Sequence, residues 1–146
     1  MANTEWQIMS TSNVREDPIK LHKQAISLME NGKYEEARDT FVKTAELYYK
    51  GQNYFGSAEM YYKAGEAAFA LKDNEEAAGL FMKSANISFS KAFDRYGVSA
   101  LEYARDCQKA LSNTKEVEEI SKKIKEVNQK LDESSGSDDQ TFSVFS

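Results

Sequence analysis

A helical pattern that repeats at an offset of 40 residues restricts the fold of this chain more than any other feature. Tyr34-Glu35-Glu36-Ala37, Phe41 and Ala45 are matched by Asn74-Glu75-Glu76-Ala77, Phe81 and Ala85. Another 40 residues on stand Thr114-Lys115-Glu116-Val117, Ser121 and Lys125, which keep only the outline. In the segments between, Leu21, Tyr61 and Leu101 correspond, as do Ala25, Gly65 and Arg105. Self-similarity at such a period marks units that cannot bury an apolar face alone and cover it by stacking.

Within each unit the apolar residues recur at three and four positions from Pro18 to Leu131, which is helical periodicity. Asp17-Pro18 opens a first helix, with an acid at the N-cap and proline where its missing N–H costs nothing. That helix runs to about Glu30 and breaks at Asn31-Gly32. A second covers about Lys33 to Lys50, with Gly51 as its expected left-handed cap. A third covers about Asn53 to Leu71. Asp73 with Glu76 caps a fourth that reaches Lys91, a fifth starts near Asp94 and ends near Leu111, and Asn113 with Glu116 opens a sixth that ends near Leu131. Connections this short set neighbouring helices antiparallel. The expected fold is therefore all-α, three stacked helical hairpins. Ala37, Ala45, Ala64, Gly65, Ala68, Ala77 and Ala85 let the helices approach closely, and Phe41 and Phe81 fill the wedge between one hairpin and the next.

The charge divides the chain into an N-terminal arm (1–17), a repeat domain (18–131) and a flexible acidic tail (132–146). The net charge is −5: the arm holds one base and three acids, the tail four acids and no base, and the repeat domain 18 bases and 17 acids. A nearly neutral body without a basic stripe argues against nucleic acid as a partner. The longest apolar run, Ala67 to Leu71, is far too short for a membrane span, and the start of the chain does not read as a secretory signal. The single cysteine, Cys107, fits a reducing compartment, and a cytoplasmic protein is expected.

The run Asn31-Gly32-Lys33-Tyr34-Glu35-Glu36-Ala37 followed by Phe41 resembles the turn and second helix of a tetratricopeptide unit. The longer 40-residue spacing and tyrosine- and alanine-rich stretches such as Tyr61-Tyr62-Lys63-Ala64-Gly65-Glu66-Ala67 are more similar to the SNAP adaptors of vesicle fusion. The resemblance covers residues 18–131. It implies a right-handed α-solenoid that binds protein or peptide partners, with the first helix of each pair lining a groove. Place by place, that face presents Ile19, His22, Ile26 and Met29, then Glu59, Tyr62, Glu66 and Phe69, then Ser99, Glu102, Asp106 and Lys109. Such a groove suits an amphipathic helix with basic residues along one side. It does not suit an acidic chaperone tail, because the basic clamp of that repeat class is missing. Only Lys63 falls at a clamp position, while His22, Ile26, Ser99 and Tyr103 occupy others.

Other candidate sites have simpler explanations. His22 has no second histidine to join it in a metal site, and Cys107 beside Asp106 should have a raised rather than a lowered pKa. Glu35-Glu36 and Glu75-Glu76 sit in first turns, where acids complement the helix dipole. Without a phosphate loop, a nucleophile elbow or a cofactor motif, an enzyme is not expected. Val117, Ile120, Ile124, Val127 and Leu131 form a short seam on the sixth helix that either packs on the fifth or joins two copies as a homodimer. In the tail, Phe142, Val144 and Phe145 follow Asp138-Asp139 and could dock on a partner.

Overall fold

Five three-residue connections, each ending one helix and starting the next, set the architecture. The computed structural model describes the backbone of residues 16–145 and the side chains of 16–134. It contains, among these residues, six helices and no strand: α1 (Pro18–Glu30), α2 (Tyr34–Lys50), α3 (Tyr54–Ala70), α4 (Asn74–Ser90), α5 (Asp94–Ala110) and α6 (Thr114–Phe145). Each helix packs on its neighbours in sequence.

In every connection the middle residue is left-handed: Gly32 (φ 74°), Gln52 (φ 65°), Lys72 (φ 63°), Ala92 (φ 65°) and Ser112 (φ 59°). Its N–H and that of the next residue turn back onto the helix just ended. Gly32 donates to Met29 O and Lys33 to Leu28 O, and the pattern recurs at Gln52/Asn53, Lys72/Asp73, Ala92/Phe93 and Ser112/Asn113. These are Schellman closures, which satisfy carbonyls that the helix ends leave open. Gly51, expected to be left-handed, has φ −81°, and Gln52 takes that conformation instead. Four of the five left-handed positions therefore carry a side chain, at a cost on the order of 1 kcal/mol each. The third connector residue serves as the next N-cap. Asn53 Oδ1 accepts from Gly56 N at 2.9 Å and Asp73 Oδ1 from Glu76 N at 3.1 Å, while Asp17 Oδ1 accepts from Ile19 N at 3.0 Å at the start of α1.

The centre of the molecule is packed with small residues. Ala37, Ala45, Ala64, Ala68, Ala77 and Ala85 are fully buried, and so are Ala58, Ala67, Ala100 and Ala104. Close approach brings hydroxyls onto neighbouring backbone: Ser57 Oγ donates to Ala45 O at 2.8 Å, and Ser84 Oγ to Ala58 O at 2.7 Å. Phe41 and Phe81, each 1% exposed, fill the interior. Gly65 accommodates the Phe81 ring, since a Cβ there would stand 2.9 Å from its carbons. On the outside, Arg38 of α2 reaches Glu76 of α4 at 3.1 Å and Asp39 at 2.9 Å.

At the C-terminal end, Ile120, Ile124 and Val127 of α6 are buried in the same core, and Leu131 packs against it. The seam is thus covered from within the chain, by α5. Where composition predicts a flexible tail, the backbone of α6 continues as helix to Phe145. Neither Asp132–Ser135 nor Gly136 ends it. No helix among the described residues is long and apolar enough to cross a membrane.

Candidate functional site

The face shared by α1, α3 and α5 collects aromatic and acidic side chains around Tyr62. At its centre the Tyr62 hydroxyl lies 3.2 Å from Ser99 Oγ, which ties α3 to α5. The Tyr62 ring meets Phe81 at 5.3 Å, Tyr96 at 5.3 Å and Tyr103 at 5.5 Å between centroids. Tyr103 also stacks on Phe81 at 5.3 Å, yet 48% of its surface is open to solvent. Toward the start of α3, Phe55 meets Tyr96 and Phe93. Offset and edge-to-face contacts of this kind are the favoured arrangements of aromatic pairs, and they join these rings into one continuous surface.

Acidic groups surround these rings. Glu59 is partly buried and acts on both Tyr48 and Tyr96. Burial, then Glu59, Tyr62 and Glu66 push the Tyr96 phenol far above its usual range. Burial, with Glu59 and Asp17, raises that of Tyr48. Tyr62 is also raised, chiefly by burial, and its hydrogen bond to Ser99 opposes this. All three hydroxyls therefore stay protonated and neutral at physiological pH. Burial also raises the Glu66 carboxyl, with Lys63 pulling it back.

At the α1 end, Ile26, Met29, Glu30, Phe41, Lys63 and Glu66 line a pocket of about 90 Å³. His22 Nδ1 lies 3.4 Å from the Tyr48 hydroxyl, and the two rings meet at right angles. This face can offer apolar contact, neutral hydroxyls and carboxylates together, a set that recognises basic and amphipathic groups. Compared with protein-family models, curated proteins and solved structures, this chain matches none.

The structure brings together Ile26, Met29 and Glu66 around the pocket, and Tyr62 with Ser99 at the centre. Phe69, 57% exposed, stands near the C-terminal end of α3. Ile19, 60% exposed, stands in the first turn of α1. Glu102, Asp106 and Lys109 are exposed on α5, where Asp106 lies 3.6 Å from Arg105 Nε. Tyr96 is the residue that the place-by-place match overlooked, because its counterpart 40 residues earlier is Gly56. The signal was its spacing: Tyr96, Ser99 and Tyr103 recur at three and four along one helix face. Phe142, Val144 and Phe145 lie outside the described side chains. Cys107 is buried, and burial followed by Asp106 raises its thiol pKa, as expected of a packing residue.

Proposed function

We propose that this protein is a helical-repeat adaptor, three antiparallel hairpins stacked in the manner of tetratricopeptide or SNAP-type repeats. It receives a basic amphipathic helix of a partner protein on the α1/α3/α5 face. The observation that carries this reading is the Tyr62 cluster, in which side chains of α3 and α5 build one continuous aromatic surface bordered by Glu59 and Glu66. Contacts at both ends of neighbouring helices support the hairpin arrangement. His22 meets Tyr48 near one end of α2, while Tyr49 meets Tyr54 across the connection after it; Ser84 meets Ala58, and Tyr62 meets Phe81. Contacts between alternate helices, Arg38 to Glu76 and Tyr62 to Ser99, support stacking. The exposed Ile26, Phe69 and Tyr103 would act as apolar anchors for the partner helix.

A photo-crosslinking amino acid placed at Phe69 or Tyr103 tests the reading, with Lys115 on α6 as the remote control. A single protein partner crosslinked from both face positions but not from Lys115 supports it. The crosslinked segment should then bind as a peptide, and Glu59→Lys with Glu66→Lys should weaken that binding about tenfold or more. Crosslinking that is equal at all three positions, or peptide binding indifferent to the charge reversal, would sink the proposal.

A further inference from the structure

A second aromatic surface, of opposite charge, lies on α2, α3 and α4 away from the Tyr62 cluster. Lys83 Nζ sits 5.5 Å from the centre of the Tyr61 ring, and Lys91 Nζ sits 4.0 Å from that of Tyr54. Tyr49, half exposed, meets Tyr54 edge-to-face at 5.1 Å and so joins the two lysine–tyrosine pairs. Tyr49, Tyr61, Lys83 and Ile87 border an open cleft of about 300 Å³. No acidic residue occurs between Glu76 and Asp94, so α4 presents its lysines unopposed from its own side. Glu46 of α2, felt by the Tyr61 hydroxyl, is the acid at the border. Two exposed cations over apolar walls fit an acidic segment that also carries a large apolar side chain.

The chain itself contains such a segment. Residues 132–146 hold Asp132, Glu133, Asp138 and Asp139, no base, and the apolar residues Phe142, Val144 and Phe145. Its own lysine–tyrosine surface lies on α2, α3 and α4, whereas α6 packs on α5 and continues helical beyond Leu131, the last of the described side chains that packs on the core. The further 14 residues to Phe145 lengthen the helix by about 21 Å at 1.5 Å per residue. The geometry points to self-association in which the acidic C-terminal segment of one copy docks on the lysine–tyrosine face of a second copy. The contact pairs two different surfaces, so it closes as a reciprocal dimer or a ring, or propagates from copy to copy, according to the rotation between copies.

Sedimentation velocity of the full chain over a range of concentrations tests this. At low salt the mean sedimentation coefficient should climb with concentration, and at high salt it should stay at the monomer value. Lys83→Glu/Lys91→Glu and Asp138→Lys/Asp139→Lys should each weaken association about tenfold or more, and an equimolar mixture of the two variants should restore it. Phe142→Ala/Phe145→Ala, which leaves the described core untouched, should weaken it in the same way. A wild-type chain that is monomeric throughout overturns the proposal, as does association that neither reversal affects or a mixture that fails to recover. Binding of the lysine face to phosphatidylserine vesicles without self-association would overturn it in favour of a lipid surface.

Discussion

The helices of this chain pack in two different ways, and the contrast shows what each region can tolerate. From α2 to α4 many of the contacts are alanine, serine and glycine, with Phe41, Met60 and Phe81 as the large fully buried side chains. Between α5 and α6 they include the branched aliphatics Ile120, Ile124 and Val127, on a helix covered from one side. Close-packed small residues leave little room for added volume, because backbone carbonyls stand against Ser57 and Ser84 and the Phe81 ring against Gly65. A buried aliphatic seam on a helix that packs on α5 alone of its sequence neighbours can relax when volume is removed. The centre should therefore be sensitive to both enlargement and truncation, and the end chiefly to truncation.

The largest expected effect is at Phe81. Phe81→Ala removes a ring packed on Gly65, Tyr62 and Tyr103 and should destabilise by about 3–5 kcal/mol in urea denaturation. Ile124→Ala on the α6 seam should cost less, about 2–3 kcal/mol, because α6 can settle toward α5. Equal losses at the two sites would remove the distinction between them. Enlargement sharpens it: Ala64→Leu in the centre should cost about 1–3 kcal/mol, while Val127→Ile on α6 should change stability by well under 1 kcal/mol.

The connections supply a smaller effect of opposite sign. Ala92→Gly relieves a left-handed alanine (φ 65°) and should raise stability by up to about 1 kcal/mol, read as a thermal shift of a few degrees. Gly32→Ala should do the reverse. The smallest effect concerns pH. Burial raises the Glu66 carboxyl above its usual 4.5, with Lys63 opposing, so the folded state holds that proton more tightly than the unfolded state. The resulting stability is present in full below the unfolded pKa and is lost as pH rises through the folded one. Glu66→Gln should flatten this decline above pH 4.5 in a series of thermal melts. An unchanged slope would show that the carboxyl is solvated like any surface glutamate.

Much of the fold was legible because it rests on local rules. The helix limits followed from Asp17-Pro18, Asn31-Gly32 and the Asp73 cap, and the fully buried alanines from their helical spacing. The left-handed cap was misplaced by one residue because glycine is the usual occupant, whereas the closure at Gln52 follows from the common three-residue connection. The candidate site was less legible. Tyr62, Ser99, Ile26 and Glu66 were readable from their repeat positions, but Tyr96 and its share in the cluster were not. A repeat match compares equivalent positions, and the cluster depends on which side chains cross from one helix to another.

By itself, the sequence determined the order and starts of the six helices, the 40-residue repeat and the small-residue interior, but not that α6 runs on past Leu131. Periodicity, capping and residue volume act within a few turns of chain. Only the tertiary structure decided that the α6 seam is covered by α5 within the same chain, and that Tyr62 meets Tyr96 and Tyr103. The same holds for the lysines, two of which lie over tyrosine rings on α3. Those outcomes depend on the angle and distance at which whole helices pack, and these are set by all the buried side chains together rather than by any local pattern.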